Sequence, residues 1–154
     1  MIDLVIDDGI AIDIDAEIIE KAIETTCLVA KNIKNPSLCT RFANNEAVQQ
    51  LNSEWRNQDK VTDVLSFPMQ DDELDATESL GDIILAMPFV AQEATRLDLL
   101  TSHHILHLIV HGTLHLLGYD HIDDADAQEM QGLENQIMQR LELHKPYPTL
   151  GTDE

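Results

Sequence analysis

The sequence is short of cysteine, of basic residues and of long apolar runs. Its 154 residues include two cysteines, Cys27 and Cys39, which are too few for a disulfide framework and do not form a CxxC pair. They are typical of buried thiols in a reducing compartment. No uncharged apolar run approaches the roughly 20 residues that a membrane-spanning helix needs, and residues 1–4 lack the basic start of a signal peptide. These absences predict a cytoplasmic protein with no membrane partner.

Basic residues are outnumbered by acidic ones, 9 against 29, which gives a formal net charge of −20. A surface of that charge repels nucleic acids and anionic membranes at long range. A nucleic-acid partner would therefore require a local basic patch, and most of the lysines and arginines do lie in the first 60 residues. For the bulk of the negative charge, solubility is the simplest interpretation.

The length and the pattern of apolar residues predict one domain over residues 1–154. The hydrophobic fraction of 44% is ordinary for a folded globular protein. Segments with the period of strands are mixed with segments that have the period of helices. The residues therefore predict one compact α+β or three-layer domain with four strands and about five helices.

Turn and capping residues divide the chain into elements. The predicted strands are 2–6, 37–42, 61–67 and 80–87. The predicted helices begin at caps or at a proline. The first runs from Asp15 to about Ala30 and is ended by Asn35 and Pro36, and the second runs from Asn44 or Asn45 to Trp55. The third is opened by Pro88, the fourth runs from Thr101 or Ser102 to Leu117, and the fifth from Asp123 or Asp124 to Leu141. Residues 70–79 are predicted to form a solvated acidic loop, and residues 145–154 a frayed tail.

A histidine motif spans the end of the most apolar of these helices. His111 and His115 are four residues apart, and Gly118 and His121 come next. Residues i and i+4 share a helix face, with Cβ atoms about 5–6 Å apart, so both imidazoles can reach one zinc ion. Gly118 stands where the helix should end, and a left-handed glycine there would turn the chain so that His121 joins them. Three histidines leave the fourth zinc position to water, as in catalytic sites, and we predict one Zn²⁺ per chain.

The spacing of the three histidines matches the zinc ligands of metzincin proteases, HExxHxxGxxH. Gly112 stands where those proteases have glutamate, so the general base of a peptidase is missing. The alternative interpretation is that the histidines are satisfied core residues. His103 and His107 continue the series backwards but drift about 40° per step around the helix, which predicts surface positions or a supporting role beside the ligands. Asp120 could accept a hydrogen bond from a ligand histidine, or it could simply belong to the turn.

With these motifs, the chain resembles the YbeY family of bacterial metal-dependent endoribonucleases. The family signature HGxLHLxGYDH stands in full at residues 111–121. The central stretch of the family is matched by Leu51-Asn52, by Trp55-Arg56 and by residues 62–68, and its LGDI strand by residues 80–83. The similarity covers most of the chain, in the expected order.

The resemblance implies a single-strand endoribonuclease that is needed for late ribosome maturation, acts on the 3′ end of small-subunit ribosomal RNA and takes part in ribosome quality control. It implies zinc binding by the three histidines and a functional arginine at Arg56. It also implies an α+β fold with a mixed, mostly parallel four-stranded sheet packed with about five helices, and a zinc site in a cleft at a helix end. The expected partners are ribosomal RNA and the small ribosomal subunit or its proteins, while the oligomeric state is left open.

Cleavage of a phosphodiester builds negative charge on the phosphate, and a guanidinium suits that charge because it is permanently cationic and bidentate. Arg56 is therefore the candidate catalytic residue, although the residues alone would favour a surface arginine at a helix end. The attacking group is either a zinc-activated water or the RNA 2′-OH, and the sequence favours neither. Ser66 and Asp82 lie in the matched motifs, where they either line the cleft or have a structural role.

Two other functions are compatible with the residues. The histidine spacing would suit a zinc hydrolase that acts on a peptide or small amide. The acidic charge would suit a ribosome-assembly binding factor with a mainly structural metal, because such a protein can bind basic ribosomal proteins. Nickel or another metal that prefers imidazole could also replace zinc.

Overall fold

The computed structural model describes residues 2–69, 79–120 and 122–147. Within these ranges it has four strands and five helices, which confirms the predicted α+β fold with a mixed sheet. In chain order the elements are β1 (Ile2–Ile6), α1 (Ala16–Lys31), β2 (Ser37–Ala43), α2 (Asn45–Arg56), β3 (Val64–Pro68), β4 (Ser79–Ala86), α3 (Met87–Arg96), α4 (Thr101–Leu116) and α5 (Asp124–Arg140). Most of the predicted acidic loop, the end of the tail and His121 lie outside the described residues.

The strands form one sheet in the order β1-β2-β4-β3. The β1–β2 and β2–β4 pairs are parallel, while β3 runs antiparallel to β4 and forms an edge of the sheet. Gly81 of β4 lies opposite Pro68 with a φ of 136°, where a Cβ atom would collide with the carbonyl oxygen of Phe67. Glycine is therefore required for β3 to reach the sheet at this point.

Helices cover both faces of the sheet. On one face, α1, α4 and α5 enclose the larger core, in which Ile23, Ile83 and Ile109 are completely buried. On the other face, α2 buries Val48 against β4. Ten of the sixteen residues of α4 are buried, so the predicted apolar helix does lie at the centre of the fold. None of the helices within the described residues is long and apolar enough to cross a membrane.

Side-chain caps mark the start of two of the five helices, α2 and α5. The side chain of Asn44 accepts a hydrogen bond from the Ala47 amide, and Asp123 does the same for Asp126, each at 2.8 Å. The prediction of Thr101 or Ser102 as the cap of α4 was wrong. The carbonyl of Leu100 already accepts from the His104 amide at 3.0 Å, so the helix begins one residue earlier without a side-chain cap.

The third strand is shorter than its apolar pattern predicts, because it begins at Val64 and not at residue 61. The ladder with β4 stops at the pair Val64–Leu85. Just before it, the Asp63 carboxylate accepts from the Val64 amide at 2.7 Å, and the Asn52 side chain donates to the Lys60 carbonyl at 3.0 Å. These side-chain bonds hold residues 60–63 in a loop that leads from α2 to the sheet edge.

Candidate metal centre

A cavity of about 700 Å³ runs along β3, the edge strand. One wall is the end of α2 and the loop that follows it, which supply Arg56 and Lys60. The opposite wall is the C-terminal turn of α4, which supplies His111 and His115. Ser66 and Asp120 also line this cavity, whereas Asp82 is exposed on β4 and is not among the lining residues. The structure therefore brings two predicted zinc ligands and the predicted arginine to one cleft.

His111 and His115 direct their Nε2 atoms at each other, 3.1 Å apart. Each Nδ1 atom faces an acceptor: the Glu134 carboxylate at 3.2 Å for His111, and the Tyr119 carbonyl at 3.0 Å for His115. An acceptor at Nδ1 selects the tautomer that carries its hydrogen there, so the Nε2 lone pairs converge. Two nitrogens bound tetrahedrally to zinc lie about 3.4 Å apart. The pair thus fits a metal ion with little movement.

The end of α4 provides the acceptor for His115. Gly118 adopts a φ of 101°, as predicted for a glycine that ends the helix. The Tyr119 amide then donates back to the Leu114 carbonyl at 3.0 Å, and the Tyr119 carbonyl faces the His115 ring. His121 lies outside the described residues, so its place as the third ligand stays a prediction.

The partner of His111 is Glu134, a residue that the sequence analysis missed. Its carboxylate is 1% exposed, and one oxygen lies 2.7 Å from His107 Nε2, 3.2 Å from His111 Nδ1 and 3.3 Å from the Tyr147 hydroxyl. A signal for it exists in the sequence. Glu134 occupies the apolar face of α5, four residues after Met130 and three before Ile137, both of which are buried.

Hydrogen bonds decide the charge of this buried carboxyl group. Burial by itself would raise the pKa of Glu134, but the bonds from His107 and His111 outweigh it and lower the pKa to about 2. Glu134 is therefore an anion beside His111. A carboxylate that accepts from the distal nitrogen of a ligand histidine fixes the ring and makes it a better ligand. His107 thus has the supporting role that was one of its two predicted interpretations.

Gly112 lies where α4 touches the sheet. A Cβ atom there would be 3.0 Å from Ser66 Oγ and 3.1 Å from Ile83 Cγ2. The Ser66 hydroxyl also donates to the Gly112 carbonyl at 3.1 Å and joins the histidine helix to β3. A glutamate, the peptidase base, has no room at this position without a shift of the helix.

Arg56 is held at its wall of the cavity by two contacts. Its guanidinium donates to the Ser66 carbonyl, on the outer edge of β3, and lies 5.5 Å from the centre of the Phe67 ring. A guanidinium has five N–H donors in all. The side chain can therefore remain anchored while it binds an anionic group in the cavity.

A second cluster, Asp63, Glu93 and His104, was not predicted. Their ligand atoms lie within 4.8 Å of one another, so they form a possible metal-binding group. They line a smaller cavity of about 180 Å³, which His111 also lines. His104 is 4% exposed, and its Nε2 atom is 2.7 Å from a Glu93 oxygen. The sequence could not indicate this group because its members come from a loop and two helices.

The carboxyl group of Glu93 differs from that of Glu134. Burial raises the pKa of Glu93, the hydrogen bond from His104 opposes this, and the adjacent Asp63 raises it further. Two carboxyl groups in contact can be stabilised by a shared proton as well as by a cation. The two carboxyl groups of the cluster can therefore be stabilised either by a proton or by a cation.

Comparisons with known proteins agree with the motifs. The family model described as Endoribonuclease YbeY matches residues 7–142. Three similar proteins are each named Endoribonuclease YbeY. The one from Sinorhizobium fredii is 44% identical over 73% of this chain and 66% of its own length, so the match spans just under two thirds of that relative. The one from Alteromonas mediterranea is 38% identical over 90% and 87%, and the one from Azorhizobium caulinodans 40% over 94% and 93%.

A solved structure supports the fold alone. The solution structure of a Thermotoga maritima protein superposes with a TM-score of 0.58 at 22% identity, and the match covers 95% of this chain and 98% of that one. At this level of identity the similarity concerns the arrangement of strands and helices and carries no argument about the site.

Proposed function

The chain belongs to the Endoribonuclease YbeY family, and on that premise we propose that it is a zinc-dependent endoribonuclease that cleaves single-stranded RNA. The observation that carries the proposal is the convergence of His111 Nε2 and His115 Nε2, 3.1 Å apart, in a cavity whose opposite wall presents Arg56. One Zn²⁺ per chain would be held by these two residues and His121.

The residues on the two walls of the cavity would have different roles in the reaction. Zinc, when bound, would supply a Lewis acid and a water of lowered pKa. Arg56 would bind the scissile phosphate and stabilise the charge that grows on it, since its anchor on Ser66 sets its position in advance. Glu134 would keep His111 in the tautomer that presents Nε2. The nucleophile is water or the 2′-OH of the RNA.

Similarity to the family also supports a proposed substrate and cellular setting. We place the reaction in the cytoplasm, on the 3′ end of small-subunit ribosomal RNA, within ribosome maturation and quality control. The partners would be this RNA and the small ribosomal subunit or its proteins. The name shared by the relatives, Endoribonuclease YbeY, supports an RNA substrate for this chain.

A second candidate is a ribosome-assembly binding factor whose metal is mainly structural. The net charge of −20 favours it, because an acidic surface suits basic ribosomal proteins better than RNA. A peptide hydrolase is disfavoured, since Gly112 is packed against Ser66 and Ile83 and leaves no room for the usual general base.

The proposed function is tested by cleavage of an end-labelled single-stranded RNA that carries the 3′-terminal sequence of small-subunit ribosomal RNA. We expect Arg56→Ala to lower the rate by about 100-fold, the typical loss when a donor to developing charge is removed, and His115→Ala to lower it at least as far. Arg140→Ala is the matched control, because Arg140 is likewise an exposed arginine in the last turn of a helix, α5.

The wild type and all variants must be purified in the same way, because contaminating nucleases would cleave the same RNA. If the His115→Ala and Arg56→Ala proteins, with unchanged circular dichroism, cleaved as fast as the wild type, the nuclease proposal would be refuted. The binding factor would then take its place, and it predicts association with ribosomal proteins that survives nuclease treatment.

A further inference from the structure

The only tryptophan of the chain, Trp55, lies at the surface. The helical pattern of α2 places it on the same face as the buried Val48, yet its side chain is 71% exposed. The other five aromatic side chains, all within the described residues, are buried or partly buried. A large ring left in water forgoes the free energy of its burial, so Trp55 has an apolar face at the end of α2 that is available to a ligand.

Trp55 is part of a small aromatic and cationic platform at the lip of the large cavity. Its ring meets Phe67 of β3 edge to face, with centroids 6.5 Å apart. The Arg56 guanidinium lies 5.5 Å from the centre of the same Phe67 ring. Arg56 lines the cavity, whereas neither aromatic ring is among its lining residues, so the platform adjoins the cavity through Arg56.

The cavity beside this platform carries charges of both signs. Arg56 and Lys60, two of the nine basic residues of the chain, line it and can bind a phosphate, and Asp63 and Asp120 line it as well. An acidic protein gains little long-range attraction for RNA. Stacking of a base on an aromatic ring needs no net charge and contributes about 1–3 kcal/mol per base. Base stacking therefore suits an RNA-binding protein whose net charge is −20.

We propose that Trp55, with Phe67 behind it and Arg56 beside it, is a stacking site for one unpaired nucleobase of a single-stranded RNA. A phosphate next to that base would meet Arg56 and Lys60. This inference rests on the proposed function, because it supplies the contact by which the cleft selects single strands: a base within a duplex is already stacked and has no face to offer.

The experiment uses the intrinsic fluorescence of the full-length protein, which reports on Trp55 alone because there is no second tryptophan. The probes are a single-stranded 2′-O-methyl oligoribonucleotide of about ten residues, an abasic oligonucleotide of the same length, and a blunt duplex. We expect the single strand to quench the fluorescence in a saturable way and the other two to cause little quenching.

Variants measure the contribution of the ring to binding, followed by anisotropy of a labelled strand. Trp55→Leu should weaken binding of the single strand by about 5- to 150-fold, the equivalent of one stacked base, and Trp55→Tyr should retain most of the affinity. Leu100→Ala is the control, because Leu100 is also a largely exposed apolar residue (64%), located before α4 and lining another pocket. It should bind like the wild type.

Equal affinity of Trp55→Leu and wild type, or equal quenching by the abasic strand, would overturn the stacking site. Quenching by basic ribosomal proteins without quenching by RNA would also overturn it and would assign the ring to a protein partner. These results are distinct from failure of the proposed function, because fluorescence and anisotropy report binding whether or not the strand is cleaved.

Discussion

Two groups of titratable side chains share the helix α4, and they are constructed differently. In the histidine pair, His111 and His115, both Nδ1 atoms face acceptors, and the two Nε2 atoms converge at 3.1 Å. In the acidic cluster, Asp63, Glu93 and His104, the Nε2 atom of His104 is hydrogen-bonded to a carboxyl oxygen of Glu93 at 2.7 Å. The two histidines thus direct acceptor lone pairs at each other, whereas the members of the acidic cluster include a donor and an acceptor that hydrogen-bond to each other.

This difference distinguishes a metal site from a buried polar network. The pair is stable in this arrangement if a cation lies between the nitrogens, and its supporting contacts come from outside, from Glu134 and from the Tyr119 carbonyl. The acidic cluster can satisfy itself with a proton. We therefore assign the zinc of the proposed function to the pair, and the predictions below test that choice.

Loss of the support behind the pair should have the largest effect. Glu134→Gln keeps the volume of the side chain but removes the charge that accepts from His111. We expect zinc affinity, measured by competition with a chromophoric chelator, to fall about 10- to 100-fold. Glu93→Gln is the matched change in the acidic cluster and should leave the affinity unchanged. The opposite ranking of the two variants would mean that the acidic cluster is the zinc site.

A change in the packing of α4 should have an intermediate effect. In Gly112→Ala the new methyl group crowds Ser66 and Ile83, which costs about 1–3 kcal/mol. The better helix propensity of alanine returns about 1 kcal/mol. We expect a net loss of roughly 1 kcal/mol in the free energy of unfolding, measured in urea, together with weaker zinc binding, since His111 is adjacent. A variant more stable than the wild type would show that the helix is not seated tightly on β3.

The smallest effect should be a pH dependence from the acidic cluster. The folded pKa of Glu93 is raised above its ordinary 4.5, chiefly by burial and despite His104, and the groups that face it are Asp63, His104 and Arg96. A raised pKa means that the folded state binds the proton more tightly, so this contribution to stability is present below pH 4.5 and is lost as pH rises through the folded pKa.

Urea unfolding of zinc-free wild type and Glu93→Gln at a series of pH values from 4 upward measures this contribution. The variant should lack the decline in stability that the wild type shows over the first pH steps. Parallel curves for the two proteins would indicate that Glu93 is ionised throughout, and a cation at the acidic cluster would then become the better explanation of its geometry.

The sequence predicted the parts of this molecule that depend on local patterns. Strands, helices and most caps follow from periodicity and from residues such as Asn44 and Asp123, and Gly118 ends α4 with a positive φ as expected. The spacing of His111 and His115 was sufficient to place both on one helix face. Membership of the Endoribonuclease YbeY family, inferred from three motifs, is confirmed.

What the sequence did not predict depends on tertiary packing. Glu134 reaches His111 because α5 packs against α4, and 23 residues separate the two. The acceptors are Glu134 for His111 and the Tyr119 carbonyl for His115, and the sequence indicated neither of them. That Asp120 accepts a hydrogen bond from a ligand histidine stays a prediction. Trp55 follows the apolar pattern of α2, and its exposure becomes apparent only when β3 is known to be the edge of the sheet.

The most direct test of the zinc assignment is elemental analysis of purified wild type, His115→Ala and the double variant Asp63→Asn/Glu93→Gln. If the histidine pair holds the metal, the wild type and the double variant contain one zinc per chain, and His115→Ala contains almost none. Zinc retained in His115→Ala and lost from the double variant would contradict it, and the metal would then belong to the acidic cluster.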